Sequence, residues 1–345
     1  MTITPASAPP ANPIVVEVTR GGMVESRHRA AVAVVDADGA VVKAWGDVEH
    51  PVYGRSALKP LQALPLIETG AADHFGLGDE EIALACASHS GEPRHVDLVT
   101  RWLARIGCGV DDFECGSHMP FHEASIEALI SSGRRPDARY NNCSGKHAGF
   151  LTTSRHLGEA TKGYIRYEHP VQQRILGVFE QLTGLRLGDA PRGIDGCGIP
   201  VIGIPLGHMA MAMARLADPD DHVPPVRAAA AKRVLAAMAS EPFLVAGSGR
   251  FCTKVMEVAG AKVALKTGAE GVYAAALPTL GLGVALKVDD GAGRAAEVAM
   301  GRVLRDLKLL TADEERALAD ALTPKIHNRA GRETGSVHVA AEAPL

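Results

Sequence analysis

Aromatic residues make up only 4% of this 345-residue chain. A core cannot be built mainly from rings on that supply, so Ala, Val, Leu and Ile must fill it. Long apolar runs are missing as well. None approaches the roughly eighteen uninterrupted apolar residues of a membrane-spanning helix, which speaks against a membrane protein. Neither charge sign dominates: 36 basic residues stand against 40 acidic ones, a net charge of −4. No basic block stands out, so the electrostatic footprint of a nucleic-acid binder is absent. From Met1 to Pro13 no basic segment precedes an apolar one, so no secretory signal is expected and the chain reads as cytoplasmic. Residues 1–13, rich in Pro and Ala, are expected to form a flexible tail, and 14–345 a single domain of one or two lobes. Cysteines are few: Cys86, Cys108, Cys115, Cys143, Cys197 and Cys252. In a reducing compartment they should be thiols or metal ligands rather than bridges.

What remains is ordinary globular material, 46% hydrophobic and 22% charged. Ile14 to Thr19 and Ala30 to Val35 are β-branched runs, and Ala40 to Trp45 returns after an Asp36-Ala37-Asp38-Gly39 turn, predicting a hairpin. After Gly54 the spacing of Leu58, Leu61, Leu64, Leu66 and Ile67 predicts a helix ending at Gly70, with Pro60 in its first turn. Further helices are expected near 94–107, 122–132, 146–157, 169–183, 207–216, 225–239, 291–309 and 312–321. Strands are expected at 190–205 among tight turns, at Val263 to Lys266, Val272 to Ala276, Leu282 to Val288, and at Ser336 to Val339. Strands at both ends with helices between them predict an α+β fold whose terminal strands share one sheet.

The first chemical motif is Ser56-Ala57-Leu58-Lys59. Three residues along a helix share a face, so Lys59 can reach the Ser56 hydroxyl. A lysine whose pKa is lowered by burial or nearby positive charge can take that proton and make serine a nucleophile. The same four residues also fit a helix-capping serine followed by a surface lysine. Ser88-His89-Ser90-Gly91, after the apolar segment Ile82 to Cys86, is a polar turn at the end of a buried element, or simply a turn. Lys266-Thr267-Gly268 closes a strand, and Tyr140-Asn141-Asn142 lies between. In that order S-x-x-K, Tyr-x-Asn and Lys-Thr-Gly resemble the penicillin-recognising serine enzymes and serine β-lactamases. Gly247-Ser248-Gly249-Arg250 has no place in such a site, so the resemblance bears on serine–lysine chemistry and fold rather than on substrate.

A second chemistry is readable at Cys143 and Cys197. Glycines flank Cys197, and Cys143 stands four residues before His147, a ligand spacing if a helix has begun there. Spacing alone proposes Cys143, His147 and Cys197 around a zinc ion with a water. Two unrelated buried thiols fit the same pattern.

Taken together, Arg55-Ser56-Ala57-Leu58-Lys59-Pro60, Cys86-Ala87-Ser88-His89-Ser90-Gly91-Glu92, Asn142-Cys143-Ser144-Gly145-Lys146-His147, Gly193-Ile194-Asp195-Gly196-Cys197-Gly198 and Gly247-Ser248-Gly249-Arg250 resemble the rhizobial-type (class 3, thermolabile) L-asparaginases. The likeness runs from about Val15 to the last strand. It implies a serine β-lactamase/glutaminase-like fold with a mixed sheet flanked by helices, a homodimer, and hydrolysis of L-asparagine to aspartate and ammonia. It implies Ser56 as nucleophile with Lys59, and Ser88 with Lys266 as a second pair. Arg55, His89, Asn142, Gly247 and Arg250 would surround the substrate. Zinc would be held by Cys143, Lys146 and Cys197, with Asp195 behind them, so that Lys146 replaces the His147 suggested by spacing. The metal would aid substrate binding rather than the chemical step. Two other asparaginase types do not fit: no Thr-Gly-Gly-Thr setting occurs, and no threonine follows a convincing self-cleavage site. The alternatives are another serine–lysine acyl hydrolase, glutaminase or β-lactamase-like, and a non-catalytic zinc-binding protein of the same fold.

Overall fold

The computed structural model describes residues 11–344. Positions 1–10 of the expected tail lie outside the described residues. Asn12 is tied down: its side chain donates to Asp289 at 2.7 Å and accepts from the Asp47 amide at 2.7 Å.

The terminal strands do share a sheet. β1 (Ile14–Arg20) pairs with β11 (Glu333–Val339) on one side and β2 (Met23–Asp36) on the other. The full order is β10-β11-β1-β2-β9-β8-β7, with β3 (Val41–Trp45) also on β2. Here β7 is Ala264–Thr267, β8 Val272–Leu277, β9 Leu282–Val288 and β10 Lys325–His327. A smaller sheet joins β4 (Pro51–Tyr53), β6 (Pro200–Pro205) and β5 (Arg192–Ile194) in the order β4-β6-β5. The pairings are antiparallel throughout, where a mixed sheet was expected. The reason is connectivity, because neighbours such as β1–β2, β2–β3 and β7–β8–β9 are joined by short turns, and short turns force antiparallel pairing. The α+β class stands.

β2 shows how the sheet is covered. Its first half alternates in exposure against β1, whereas Ala30 to Val35 are all buried against β9 and β3. A continuous buried run needs cover on both faces. Helix Leu206–Ala217, rich in Ala and Met, packs on β2, β8 and β9, and helix Gly293–Asp306 packs on β1, β8, β9 and β11. The first helix lies so close that a Cβ on Gly283 would sit 2.0 Å from the Ala210 carbonyl oxygen. Small side chains thus replace the missing rings as the means of close packing.

Beyond β7 lies a helical layer. The helix expected after Gly54 is broken into a 3-10 turn, Arg55–Leu58, and short helices Lys59–Gln62 and Leu64–Glu68. Helix Ser144–His156 is the central element, buried from Ser144 to Ser154. A Cβ on Gly145 would lie 2.1 Å from the Leu84 carbonyl oxygen of helix Asp79–Ala85. That contact brings the start of the central helix beside the Ser88 turn.

Candidate active site

Ser56 sits in the 3-10 turn between Arg55 and Lys59 and is half-buried. The turn packs on β7 and β8, where a Cβ on Gly268 would meet the Gly54 carbonyl oxygen at 2.9 Å. Arg55 holds a left-handed backbone, φ 49°, which is strained for any residue but glycine. Its guanidinium is fixed on Asp195, with Nε to Oδ1 at 2.8 Å. A cavity of about 430 Å³ is lined by Arg55 with Tyr53, Val272, Glu270 and Lys287, so the residue before Ser56 faces open space.

Both lysines of the expected pairs converge on one serine. Lys266, on edge strand β7, donates to Ser88 Oγ at 2.8 Å and to the Thr267 carbonyl at 2.8 Å. Lys59 reaches Ser88 Oγ at 3.1 Å, the Ala87 carbonyl, and the Asn142 carbonyl at 3.5 Å. Among the described residues no hydrogen bond joins the Ser56 hydroxyl to either amine. The expected Ser56–Lys59 pairing is therefore not formed here. Lys59 begins a new helix after the 3-10 turn, and its stem runs inward under Ser88 instead of back along its own turn.

Both amines are sealed from water, Lys59 at 0% and Lys266 at 1% exposure. Burial pulls the Lys266 pKa well below its ordinary value, and the positive charge of Lys59 pulls it further. Burial lowers Lys59 too, against a partly compensating pull from Cys143. Two ammonium groups on one hydroxyl repel, so a neutral Lys266 amine facing the Ser88 hydroxyl is the arrangement these charges favour.

The remaining expected residues divide. Ser90 Oγ donates to the Ala246 carbonyl at 2.8 Å and the Ser88 amide to the Val245 carbonyl at 3.0 Å, so the Ser88 turn is laced to the Gly247 loop. Gly247 has φ 110°, and a Cβ there would strike Ser90 Oγ at 2.4 Å. Arg250 caps helix Phe251–Ala259, and its charge acts on both Lys266 and Cys252. Cys252 itself is buried against the Tyr273 hydroxyl at 3.2 Å. His89 is a correction. Its Nε2 meets Ser144 Oγ at 2.8 Å and its Nδ1 accepts the Gly91 amide at 3.1 Å, so neither nitrogen is left for a substrate. The ring belongs to the buried scaffold.

Cys143, Lys146 and Cys197 meet. Lys146 Nζ lies 3.2 Å from Cys197 Sγ, while Cys143 Sγ donates to Asn142 Oδ1 at 3.3 Å. The neighbouring Cys197 and burial push the Cys143 thiol up to about 11, while Cys143 and the nearby Lys146 charge bring Cys197 down to about 5 against its own burial. His147 does occupy the next turn, as the spacing required, but its Nδ1 turns to the Tyr164 hydroxyl at 2.8 Å. Among the described residues no group of three or more His, Cys, Asp and Glu side chains is arranged to hold a metal ion. The converging donors here are two sulfurs and an amine, a soft set of the kind zinc accepts once the amine is deprotonated.

Three residues escape a reading by motif. Glu92, 6% exposed, accepts both the Ser248 amide at 2.8 Å and its hydroxyl at 2.6 Å, pinning the Gly247 loop. Tyr164 holds His147. His118 accepts the Asn142 amide at 2.9 Å. Glu92 closes the Ser88 string, but the string itself gives it no role; Tyr164 and His118 stand in no recognisable string.

The sequence matches the family described as L-asparaginase II over residues 16–339. The chain belongs to that family. It is an amidohydrolase. No curated protein matches it in sequence. Among solved structures it is similar to one titled Mglu, with 17% identity and a TM-score of 0.45, covering 83% of this chain and 68% of that one. It is also similar to a β-lactamase from Mycobacterium bovis, with 14% identity and a TM-score of 0.40, covering 85% and 95%. A D-alanine carboxypeptidase from Burkholderia cenocepacia gives 11% identity and a TM-score of 0.38, covering 79% and 93%. Among the described residues no helix is long and apolar enough to cross a membrane.

Proposed function

We propose that this L-asparaginase II family member hydrolyses L-asparagine to L-aspartate and ammonia through an acyl-enzyme on Ser56. The observation that carries the reading is the convergence of two buried lysines on Ser88 beside the half-buried Ser56 turn. The serine oxygen adds to the side-chain amide carbon while its proton passes toward the lysine pair. Collapse expels ammonia, which takes a proton back, and leaves an aspartyl ester. Water then adds to the ester, releases aspartate and restores the hydroxyl. The Arg55–Asp195 pair offers both charge signs to a zwitterionic substrate.

A second reading, acylation of Ser88 itself, is favoured by the 2.8 Å and 3.1 Å contacts of that hydroxyl with the two amines. Its 5% exposure against the more open Ser56 weighs toward Ser56. Cys143, Lys146 and Cys197 would hold zinc, and zinc bound there supplies a fixed positive charge toward which the polar end of the substrate can be oriented. Six unbridged cysteines accord with a cytoplasmic enzyme, and the family resemblance with a homodimer.

The test is turnover of asparagine, glutamine and a chromogenic cephalosporin, followed by acid quench and mass spectrometry. We expect asparagine to be preferred and an aspartyl adduct on Ser56. Ser56→Ala should lose at least about a thousandfold in kcat while remaining folded. An adduct on Ser88 would move the nucleophile, and preference for another substrate would overturn the reading.

A further inference from the structure

Lys287, on β9 and opposite Val272 of β8, belongs to no motif. Its half-buried amine donates to two main-chain oxygens, the Glu270 carbonyl at 2.8 Å and the Val288 carbonyl. The first of these is the unusual one. Glu270 sits at the tip of the β7–β8 hairpin with φ 58°, beside Gly271 at φ 66°. Glycine takes such values freely, whereas a glutamate there costs roughly 1 kcal/mol or more. The turn's own closing bond is weak, because the Val272 amide reaches the Ala269 carbonyl only at 3.4 Å. Lys287 thus supplies the short bond of a turn that its own residues disfavour.

That hairpin carries both the Lys266 amine and the seat of the Ser56 turn. β7 is the last strand of its sheet and pairs with β8 alone, so no outer strand holds it in place. On it, Lys266 donates to Ser88 Oγ at 2.8 Å. Two residues later the Gly268 amide donates to the Val272 carbonyl at 2.7 Å. Gly268 presses so closely on the Ser56 turn that a Cβ there would lie 2.9 Å from the Gly54 carbonyl oxygen and 3.2 Å from the Ala57 amide nitrogen. Glu270 follows after one more residue. A change of turn at the tip therefore acts on the Gly268 contact first and on Lys266 just behind it.

We propose that Lys287 is a positioning residue: by holding the Glu270 carbonyl it keeps the β7–β8 tip in its left-handed turn, and with it the spacing between the Lys266 amine and the Ser56 turn. The strained φ and the lysine bond form a compensating pair, so removing both costs less than removing the lysine alone. Glycine at position 270 needs no compensation, because its backbone takes up the left-handed turn freely. Lys287 also lines the cavity that Arg55 faces, so direct contact with substrate is the competing role. A direct contact would act on KM and would not depend on residue 270.

This inference rests on Ser56 and Lys266 serving the reaction proposed above, and the experiment separates the two. Hydrogen exchange read by mass spectrometry over residues 266–273 reports on the turn without any substrate, and kinetics on asparagine report its effect. Lys287→Met should speed exchange there by about tenfold. It should lower kcat by about tenfold with KM within about twofold, the scale expected when a catalytic amine is misplaced. Lys287→Arg, which keeps a donor, should hold kcat within about threefold of wild type. Glu270→Gly/Lys287→Met should recover exchange and kcat to within about threefold of Glu270→Gly alone. Unchanged exchange or unchanged kcat in Lys287→Met, a raised KM with kcat intact, or a double variant as impaired as the single one overturns the proposal. If Lys287→Met does not fold, the double variant must fold and exchange like Glu270→Gly, and its failure to do so overturns the proposal as well. If the wild type does not hydrolyse asparagine at all, the substrate reading fails, while exchange still decides whether Lys287 holds the turn.

Discussion

Three buried lysines lie within this one site, and burial pushes all three the same way, yet they end in opposite states. For Lys59, Lys266 and Lys146 alike the largest influence is desolvation, which lowers the pKa. Lys266 has another lysine as its next influence and falls well below the ordinary value. Lys146 has Cys143, Cys197 and Asp195 around it, and these more than reverse the burial penalty, so its pKa rises. Desolvation acts in the same direction at each position; the sign of the neighbouring charge decides whether the pKa falls or rises. The chain thus lowers the pKa of one buried amine and raises that of another, from the same residue type, a few side chains apart.

The hardest way to break that contrast is to remove an amine from the uncompensated pair. Lys266→Ala or Lys59→Ala should cost at least about a thousandfold in kcat, since the hydroxyl then has no base of suitable pKa. A kcat within about tenfold of wild type would show that the proton goes elsewhere. The same pair gives a pH dependence with a definite sign. With the folded-state pKa lowered, the unfolded chain binds more protons in the window between the folded value and the ordinary lysine value near 10.4. Stability conferred by the neutral amines is therefore present at high pH and lost as pH falls through the folded value. Activity should rise in parallel from about pH 6 toward alkaline values as the base sheds its proton. A flat rate profile across that range, with substrate saturating, would rule out a lysine base.

How far the sequence reaches is plain from the same residues. β-branched runs and their turns are enough to place β1, β2, β3, β8 and β9 and to unite the two ends in one sheet, because period and composition act locally. β4 and β10, three residues each, leave no such trace. Helix Asp79–Ala85 is short and buried from Glu81 to Ala85, so it lacks a polar face to set a period. Within the site, spacing correctly puts Ser56 and Lys59 on one turn. It cannot say where a four-carbon stem goes after that, and the buried carbonyl of Ala87 and hydroxyl of Ser88 decide it. The pinning of Ser248 by Glu92 depends on a contact between distant loops, which no local pattern encodes.

A smaller effect is expected on the compensated side. Loading zinc onto Cys143, Lys146 and Cys197 would require the Cys143 thiol proton and one Lys146 ammonium proton to leave, with Cys143 pushed up to about 11 and Cys197 brought down to about 5. Calorimetric titration in buffers of different ionisation enthalpy should therefore report about two protons released per zinc near neutrality. Occupancy should fall as the solution is acidified. Cys143→Ser should bind zinc poorly and raise KM by about tenfold while changing kcat less. Release of no protons would mean that Lys146 keeps its charge and is not a ligand. Loss of kcat with intact KM would assign the metal to the chemical step.

The smallest effect separates His147 from Lys146. Spacing along the helix offers His147 to the thiols as readily as Lys146, yet the His147 ring is turned to the Tyr164 hydroxyl and stands at 5.7 Å, tilted, from the Phe150 ring. That hydroxyl also accepts the Glu114 amide at 2.9 Å, so it joins His147 to a second loop. Burial holds the imidazole down at about 3, and it is neutral throughout the working range. Its role is thus to bind the central helix to the Tyr164 loop, not to carry charge. His147→Ala should keep zinc stoichiometry and kcat close to wild type. It should lose stability by about 1–3 kcal/mol, because the buried Tyr164 hydroxyl loses its imidazole partner and a small cavity opens. Lys146→Ala should do the reverse, abolishing zinc uptake while leaving the Tyr164 contact whole. Metal content by elemental analysis and thermal unfolding of the two variants side by side make the comparison. If His147→Ala is the variant that loses zinc, the contrast between compensated and uncompensated lysines fails at its strongest point, since Lys146 would then be a cation with no metal to serve.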